Sequence, residues 1–378
     1  MKVLIVGAGP AGSYLAYLLK RRDPGIELRI VEQNPADSTF GFGVVFSDRA
    51  LEFLREDDEA THELIAPRMQ RWHDLSIHHQ GQRVVIDGIG FAAIGRLELL
   101  RLLHRRLHAV QVEPEYRHVI DDRRELEGYD LVVGADGLNS FVRSGHEREF
   151  ATSLQHLHNC FAWYGTTKRF DTLSQTFVSN DAGSFNAHHY RYAPQMSTFI
   201  IECDPSTWER AGFAAMDEAE TKAYCEQVFA ATLDGHPLVA NKSVWRQFPK
   251  LWNECWHVGN RVLVGDALHT AHFSIGSGTR LAFEDAIALD RSLAEHADSV
   301  PDALAAFEAQ RKPIVRKLVA AANASADWYE RFGEHMRLEP WDLAWHYIQR
   351  SGRVDLERLR RVSPLFVQGY EQHAKGGG

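Results

Sequence analysis

Lys2-Val3-Leu4-Ile5-Val6-Gly7-Ala8-Gly9-Pro10-Ala11-Gly12, then Ser13-Tyr14-Leu15-Ala16-Tyr17-Leu18-Leu19 and, after a polar break, Glu27-Leu28-Arg29-Ile30-Val31-Glu32, is the stretch that decides the fold of this 378-residue chain. An unbroken apolar run ending in glycine is the pattern of a strand buried on both faces, and the apolar spacing after Gly12 is that of a helix. Strand, glycine turn, helix and strand make a βαβ unit. In such a unit Gly7 and Gly9 allow a tight turn and close passage of a pyrophosphate, with Ala11 and Gly12 opening a helix whose N-terminus faces the anion. Glu32 lies twenty residues beyond Gly12, at the end of the second strand, where a carboxylate can accept hydrogen bonds from a ribose. A glycine turn that only packs helix on strand accounts for neither Glu32 nor its position. The fingerprint by itself suits NAD and FAD equally.

Around this unit the composition is that of a globular protein, with 44% hydrophobic and 25% charged residues. A net charge of −9 offers no electrostatic footprint for nucleic acid or an anionic membrane. The apolar run after Met1-Lys2 is too short for a signal segment or a membrane span, so a cytoplasmic location is expected. Cys160, Cys203, Cys225 and Cys255 form no C-x-x-C pair and suit structural thiols better than a zinc cage or a disulfide framework.

Further along, residues 74–93 alternate like a hairpin, and Gly95-Arg96-Leu97-Glu98-Leu99-Leu100 opens a helical pattern. Tyr129–Gly137 is another buried strand ending in a glycine turn. From 151 to 257 the texture changes to aromatic-rich strands with one helical piece, and Arg261–Ala267 returns to the buried-strand pattern before helical periodicity takes over. The fold expected is α/β. A discontinuous Rossmann-like nucleotide-binding domain (1–73, 94–150 and 258–296) carries an inserted antiparallel-sheet substrate domain (74–93 and 151–257), followed by a C-terminal helical region (297–378).

Two later turns narrow the cofactor. Asp130–Gly137, with Ser140 and Arg143, resembles the Asp-Gly motif of the single-component (group A) FAD-dependent aromatic hydroxylases, and Gly265-Asp266-Ala267-Leu268-His269, continuing to Gly276-Ser277-Gly278, resembles their Gly-Asp motif. The order of the three motifs is specific to that family. Gly41-Phe42-Gly43-Val44-Val45-Phe46-Ser47 and His272–Thr279 are similar to the branch holding salicylyl-CoA 5-hydroxylases, the monooxygenase half of anthraniloyl-CoA enzymes and the violacein-pathway tryptophan hydroxylase. Phe273 stands where the family has a proline, which removes that residue's rigid carbonyl.

The resemblance implies FAD, reduced by NADH or NADPH, and ring hydroxylation by dioxygen through a flavin C4a-hydroperoxide. Asp136 and Gly137 would border the flavin chain. Asp266 would hold the ribityl hydroxyls, and Arg96 the pyrophosphate or ribityl region, unless it is a surface helix arginine. Gly276, Gly278 and Thr279 would bring a helix N-terminus to the flavin ring. Phe42 through Phe46, Gly43 and Val44 among them, would wall that ring, with Gly41 and Gly43 allowing close backbone approach, unless the stretch is a hydrophobic loop packing under the sheet. A single dinucleotide fingerprint means that the nicotinamide docks transiently. Asp266, His269 and His272 could also be read as a metal constellation, but nearby glycines and the lack of a further ligand argue against it, so no metal site is expected.

Trp163, Tyr164, Phe185, His188, His189, Tyr190 and Tyr192 are candidates to line the substrate pocket, with His188, His189 and Tyr190 as candidate catalytic residues. Strand alternation puts His189 on one face and His188, Tyr190 and Tyr192 on the other. A histidine could accept a phenolic proton, or both could be ordinary sheet residues. The partner expected is a small aromatic, possibly a CoA thioester whose phosphates Arg68, Arg71 and Arg83 could meet, with salicylyl-CoA ranked first and tryptophan or another indole second. A flavin-dependent dehydrogenase or a non-catalytic flavin scaffold are the competing functions. The chain ends soon after its C-terminal helices, so oxygenation without ring reduction is expected.

Overall fold

The computed structural model describes residues 1–39, 41–47, 51–352 and 354–376. The unbroken apolar runs form one sheet. Lys2–Val6 pairs in parallel with Glu27–Glu32 on one side and with Leu131–Gly134 on the other, and Arg261–Leu263 extends the sheet beyond Leu131–Gly134. Val3, Leu4, Ile5, Leu131, Val132 and Val133 are completely buried, as strands covered on both faces must be. Helix Pro10–Arg22 packs against helices Arg96–Ala109 and Gly278–Glu295, and the last of these packs on the 30-residue helix Val300–Tyr329. Truncating a residue such as Ile5 to Ala would cost about 2–5 kcal/mol.

The aromatic-rich region forms a second sheet. Its strands run Leu238–Val239, Thr152–Thr166, Met196–Cys203, Gly183–Ala193, Leu173–Asn180, Leu75–His79 and Gln82–Ile86, with Arg246–Asn253 also paired to Thr152–Thr166. Pairing is antiparallel except between Leu173–Asn180 and Leu75–His79, which is parallel. Both faces are covered. Phe185, Ala187, Phe199 and Ile201 pack with Cys225 and Phe229, while Leu75, Ile77 and Phe177 pack with Trp328, Phe332 and Tyr347 of the C-terminal helices.

The hairpin expected over 74–93 is shorter than its pattern suggested. Leu75–His79 and Gln82–Ile86 do pair, but Phe91–Gly95 leaves them to join Gly43–Ser47 and Gln70–Trp72 in a three-stranded sheet. Ala92, Ala93 and Ile94 are all essentially buried, a run that suits a central strand rather than an alternating edge. Among the described residues no helix is long and apolar enough to cross a membrane.

Candidate functional site

Three glycine turns meet at the carboxyl ends of the parallel strands, and their glycines serve different purposes. Gly7 has φ +102°, and a Cβ there would lie 2.9 Å from the Asp136 Cα, so the first turn packs directly on the Asp-Gly turn. At Gly12 a Cβ would collide with the Gly7 carbonyl, as close helix-on-strand packing requires. Among the described residues, Gly9, Gly137 and Gly278 have nothing within 4 Å of that position. Glu32 accepts hydrogen bonds from the Ala8 amide (3.0 Å), the Asn34 amide (2.8 Å) and the Asn34 side chain (2.7 Å), so its carboxylate holds the first turn against the second strand.

Asp136 folds its own loop. Its Oδ2 accepts from the amides of Phe141 (2.7 Å) and Val142 (3.3 Å), while Oδ1 is buried with no partner, and burial raises the pKa of the carboxyl. Arg143, in the short helix that follows, is buried and donates to the carbonyls of Ala267 (2.7 Å) and Leu138. The Asp-Gly and Gly-Asp turns are thereby tied together.

The Gly-Asp turn is fixed from beneath as well. Gly265 has φ +60° and a Cβ there would approach Ala11 to 3.1 Å. His269 bonds to Asp285 Oδ2 at 2.9 Å, and Arg311 donates to Asp285 Oδ1 at 3.0 Å and pairs with Glu284 at 2.7 Å. This network joins the turn to two helices. His269 and Arg311 hold the pKa of Asp285 below the ordinary carboxylate range despite its burial. Sequence reasoning missed Asp285 and Arg311, whose only signal was a charged residue on the apolar stripe of each helix.

Asp266 itself is left free. Its side chain is exposed to solvent and, among the described residues, makes no hydrogen bond or ion pair, yet enough protein surrounds it that desolvation raises its pKa against the pull of Arg96 and His269. Arg96 heads its helix, as its sequence position indicated. Its amide donates to the Phe42 carbonyl at 2.8 Å, its guanidinium lies 5.6 Å from the Trp163 ring, and its Nε is buried without a partner. Burial lowers its pKa and Asp266 opposes that shift. The two charges feel each other across a gap, without contact. Beside them, helix Gly278–Glu295 begins with no side-chain cap, so its first amides are free to face a ligand, and Thr279 in that turn is partly exposed. Gly276 has φ +61° and rests 3.0 Å from Val45 through the position of a Cβ.

At the glycines before the Val44 strand the backbone is closely approached from the large sheet. At Gly41, φ +75°, a Cβ would sit 3.1 Å from the Trp163 ring, and at Gly43 it would sit 2.5 Å from Tyr192 Cβ and 2.8 Å from Thr198 Oγ1. They admit the large sheet to the backbone. The Gly43 amide donates to Thr198 Oγ1 (3.0 Å) and its carbonyl accepts from the Tyr190 hydroxyl (3.0 Å). Val44 is buried in the main core. Asp48, Arg49 and Ala50 lie outside the described residues.

Strand alternation divides the candidate pocket residues. His189 stacks on Phe199 at 5.1 Å and bonds to Thr176 at 2.9 Å on the face occupied by Tyr164 and Phe185, so these three belong to the core on the far side. Trp163, His188, Tyr190 and Tyr192 face the Gly43 strand and the Gly276 segment. Arg68, Arg71 and Arg83 stand on three separate elements, Arg68 already paired with Glu98 at 3.1 Å. His272 bonds to Ser274 at 2.8 Å, so it and His269 are held by different partners.

Open glycines at three turns, a carboxylate without a hydrogen-bond partner among the described residues near a guanidinium held only against the Trp163 ring, and an uncapped helix N-terminus fit the diphosphate, ribityl chain and flavin of an extended FAD. The family described as FAD binding domain matches residues 1–62 and 101–322. The chain is 42% identical over 363 residues to salicyloyl-CoA 5-hydroxylase of Streptomyces sp, covering 93% of this chain and 70% of that protein. It is 34% identical over 331 residues to 3-hydroxy-4-methyl-anthranilyl-[aryl-carrier protein] 5-monooxygenase of Streptosporangium sibiricum, covering 88% and 90%. Its fold is similar to that of P. aeruginosa PqsL in complex with 2-aminobenzoylacetate, with TM-score 0.67, 22% identity and coverage of 88% and 98%. The match takes in both the glycine fingerprint and the Gly265-Asp266 turn, and the chain belongs to the FAD binding domain family, among the FAD-dependent aromatic hydroxylases.

Proposed function

We propose that this enzyme hydroxylates the ring of an ortho-hydroxyaryl-CoA thioester, with salicylyl-CoA, attacked para to its hydroxyl, as the best candidate. Dioxygen and NADH or NADPH are the co-substrates. The carrying observation is Asp266, a partnerless carboxylate opposite Arg96 in a chain 42% identical to a salicyloyl-CoA hydroxylase. Bound FAD supplies the reduced ring that activates oxygen.

The residues then have these tasks. Gly7, Gly9, Ala11 and Gly12 seat the diphosphate at the helix N-terminus, and Glu32 lies by the adenosine ribose. Asp266 accepts from the ribityl hydroxyls while Arg96 neutralises nearby charge, and Gly137 leaves room for the chain beside Asp136. Gly276, Gly278 and Thr279 bring helix amides to the pyrimidine edge of the flavin. Gly43 and Val44 support its other side, and His188 and Tyr190 face the ring to be oxidised. The first two relatives carry the aryl group on CoA and on a carrier protein. A cavity of about 570 Å³ walled by Phe42, Ile94, Leu97 and Tyr192, with Arg68 and Asn241 on its polar side, supports room for such an arm.

NADH and NADPH oxidation against salicylyl-CoA, anthraniloyl-CoA, tryptophan and free salicylate, with products identified, tests this. Faster oxidation with salicylyl-CoA and a dihydroxybenzoyl product is expected. A dearomatised product, or oxidation with no oxygenated product, would sink it.

A further inference from the structure

Buried polar atoms without partners gather on the sheet face that carries Tyr190. Gln175 is completely buried, and among the described residues neither its amide nitrogen nor its oxygen has a hydrogen-bond partner. Its cross-strand neighbour His188 is 3% exposed with both ring nitrogens unpartnered. Arg350, following helix Pro340–Gln349, donates to the carbonyls of Ser274 (2.9 Å) and Tyr347 (3.0 Å), while its Nε is buried and free. Arg350 is near enough for its charge to act on His188. The segment it anchors carries Phe273, stacked on His188 at 6.4 Å and 29°, and ends at Gly276 on Val45. Sheet, C-terminal helices and the approach to the Gly278 helix thus meet around these atoms, with Val45, Phe177 and Tyr190 as apolar neighbours.

Folded proteins leave few buried polar groups unsatisfied, and several together point to a polar ligand that completes them. We infer that Gln175, His188 and Arg350 form the polar end of the aromatic-substrate pocket and select a ring bearing a hydroxyl, held as a phenol or phenolate. The neutral imidazole of His188 accepts from the hydroxyl of the phenol or donates its ring N–H to the phenolate. Arg350 favours negative charge on that oxygen, and the Gln175 amide donates to it or to the acyl carbonyl beside it. Burial and Arg350 keep the imidazole neutral, its pKa pushed down to about 3, so it offers one acceptor nitrogen and one N–H throughout the working range. This rests on the aromatic hydroxylation proposed above and names the substituent that the pocket recognises.

The test is a titration of FAD-loaded wild type, Gln175→Met and His188→Leu with salicylyl-CoA, benzoyl-CoA and free salicylate, followed by flavin absorbance, alongside thermal melting. Because the free protein leaves both side chains unpaired, the apolar variants lose no internal hydrogen bond and should melt at or above the wild-type temperature. Each should nevertheless bind salicylyl-CoA roughly tenfold or more weakly, and wild type should discriminate against benzoyl-CoA by at least that factor. Variants that bind like wild type, variants that lose only melting temperature, or equal affinity for benzoyl-CoA would overturn the inference. Binding of salicylate alone, weakened by the same variants, would remove the thioester from the proposed function and leave this pocket standing.

Discussion

Arg143 donates from Nη1 to the backbone carbonyl of Ala267 at 2.7 Å, joining two turns 124 positions apart in the chain. The bond ties the Asp136 loop to the Asp266 loop and so helps to fix their spacing. Hydrogen bonds from a charged donor contribute about 1.5–3 kcal/mol each. Arg143→Met should therefore weaken FAD retention about tenfold and lower the melting temperature, both measurable on the purified protein. Full flavin content would show that the spacing is set elsewhere.

Two glycines of the first turn should respond differently to a side chain. Gly9 opens on free space, so Gly9→Val should leave an apoprotein with near wild-type melting but little FAD. Gly12→Ala drives a methyl into the Gly7 carbonyl, an overpacking that costs about 1–3 kcal/mol or more, and should lower the melting temperature even without cofactor. Apoprotein melting curves and flavin content separate the two.

Asp266→Ala should reduce FAD affinity by about 1.5–3 kcal/mol, since the ribityl hydroxyls lose a charged acceptor. The apoprotein should be no less stable, because among the described residues the carboxylate has no hydrogen-bond or ion-pair partner to lose. Equilibrium dialysis of flavin against wild type and variant measures the first effect, and unchanged affinity would refute the assignment.

Glu202 gives a pH signature. Burial, opposed by the Asn159 hydrogen bond and helped by Glu330, pushes its carboxyl up from 4.5 to about 8. With the folded pKa above the unfolded one, the native state keeps a proton that the unfolded state releases, so stability is fully present below about 4.5 and is lost as pH rises toward about 8. Glu202→Gln keeps an oxygen for Asn159 and removes the titration. Its melting temperature should fall less than that of wild type across this window, by scanning fluorimetry, and parallel curves would contradict the account.

Much of this was legible in the sequence, for physical reasons. Strands buried on both faces read as unbroken apolar runs, and turns that need positive φ or close approach read as glycines, so the three glycine turns that meet at the strand ends could be located before any coordinates. Gly41 and Gly43 were equally visible, but a glycine records only that something approaches, and the sequence did not show that Trp163, Tyr192 and Thr198 do. Alternation separated His189 from His188 and Tyr190 without saying which face meets the Gly43 strand and which the Phe199 core. Arg350 was invisible because its meeting with Ser274 spans 76 positions and one arginine after a helix has no periodic signal.

Insertion of oxygen into an aromatic ring with the help of a bound flavin is the activity on which every role above depends. Its most direct test is turnover of salicylyl-CoA with NAD(P)H under heavy-oxygen-labelled dioxygen, with the product analysed by mass spectrometry. The account predicts a dihydroxybenzoyl-CoA carrying one labelled oxygen atom on an intact ring. NAD(P)H consumed with all the oxygen appearing as hydrogen peroxide, and unlabelled or unchanged substrate recovered, would contradict it.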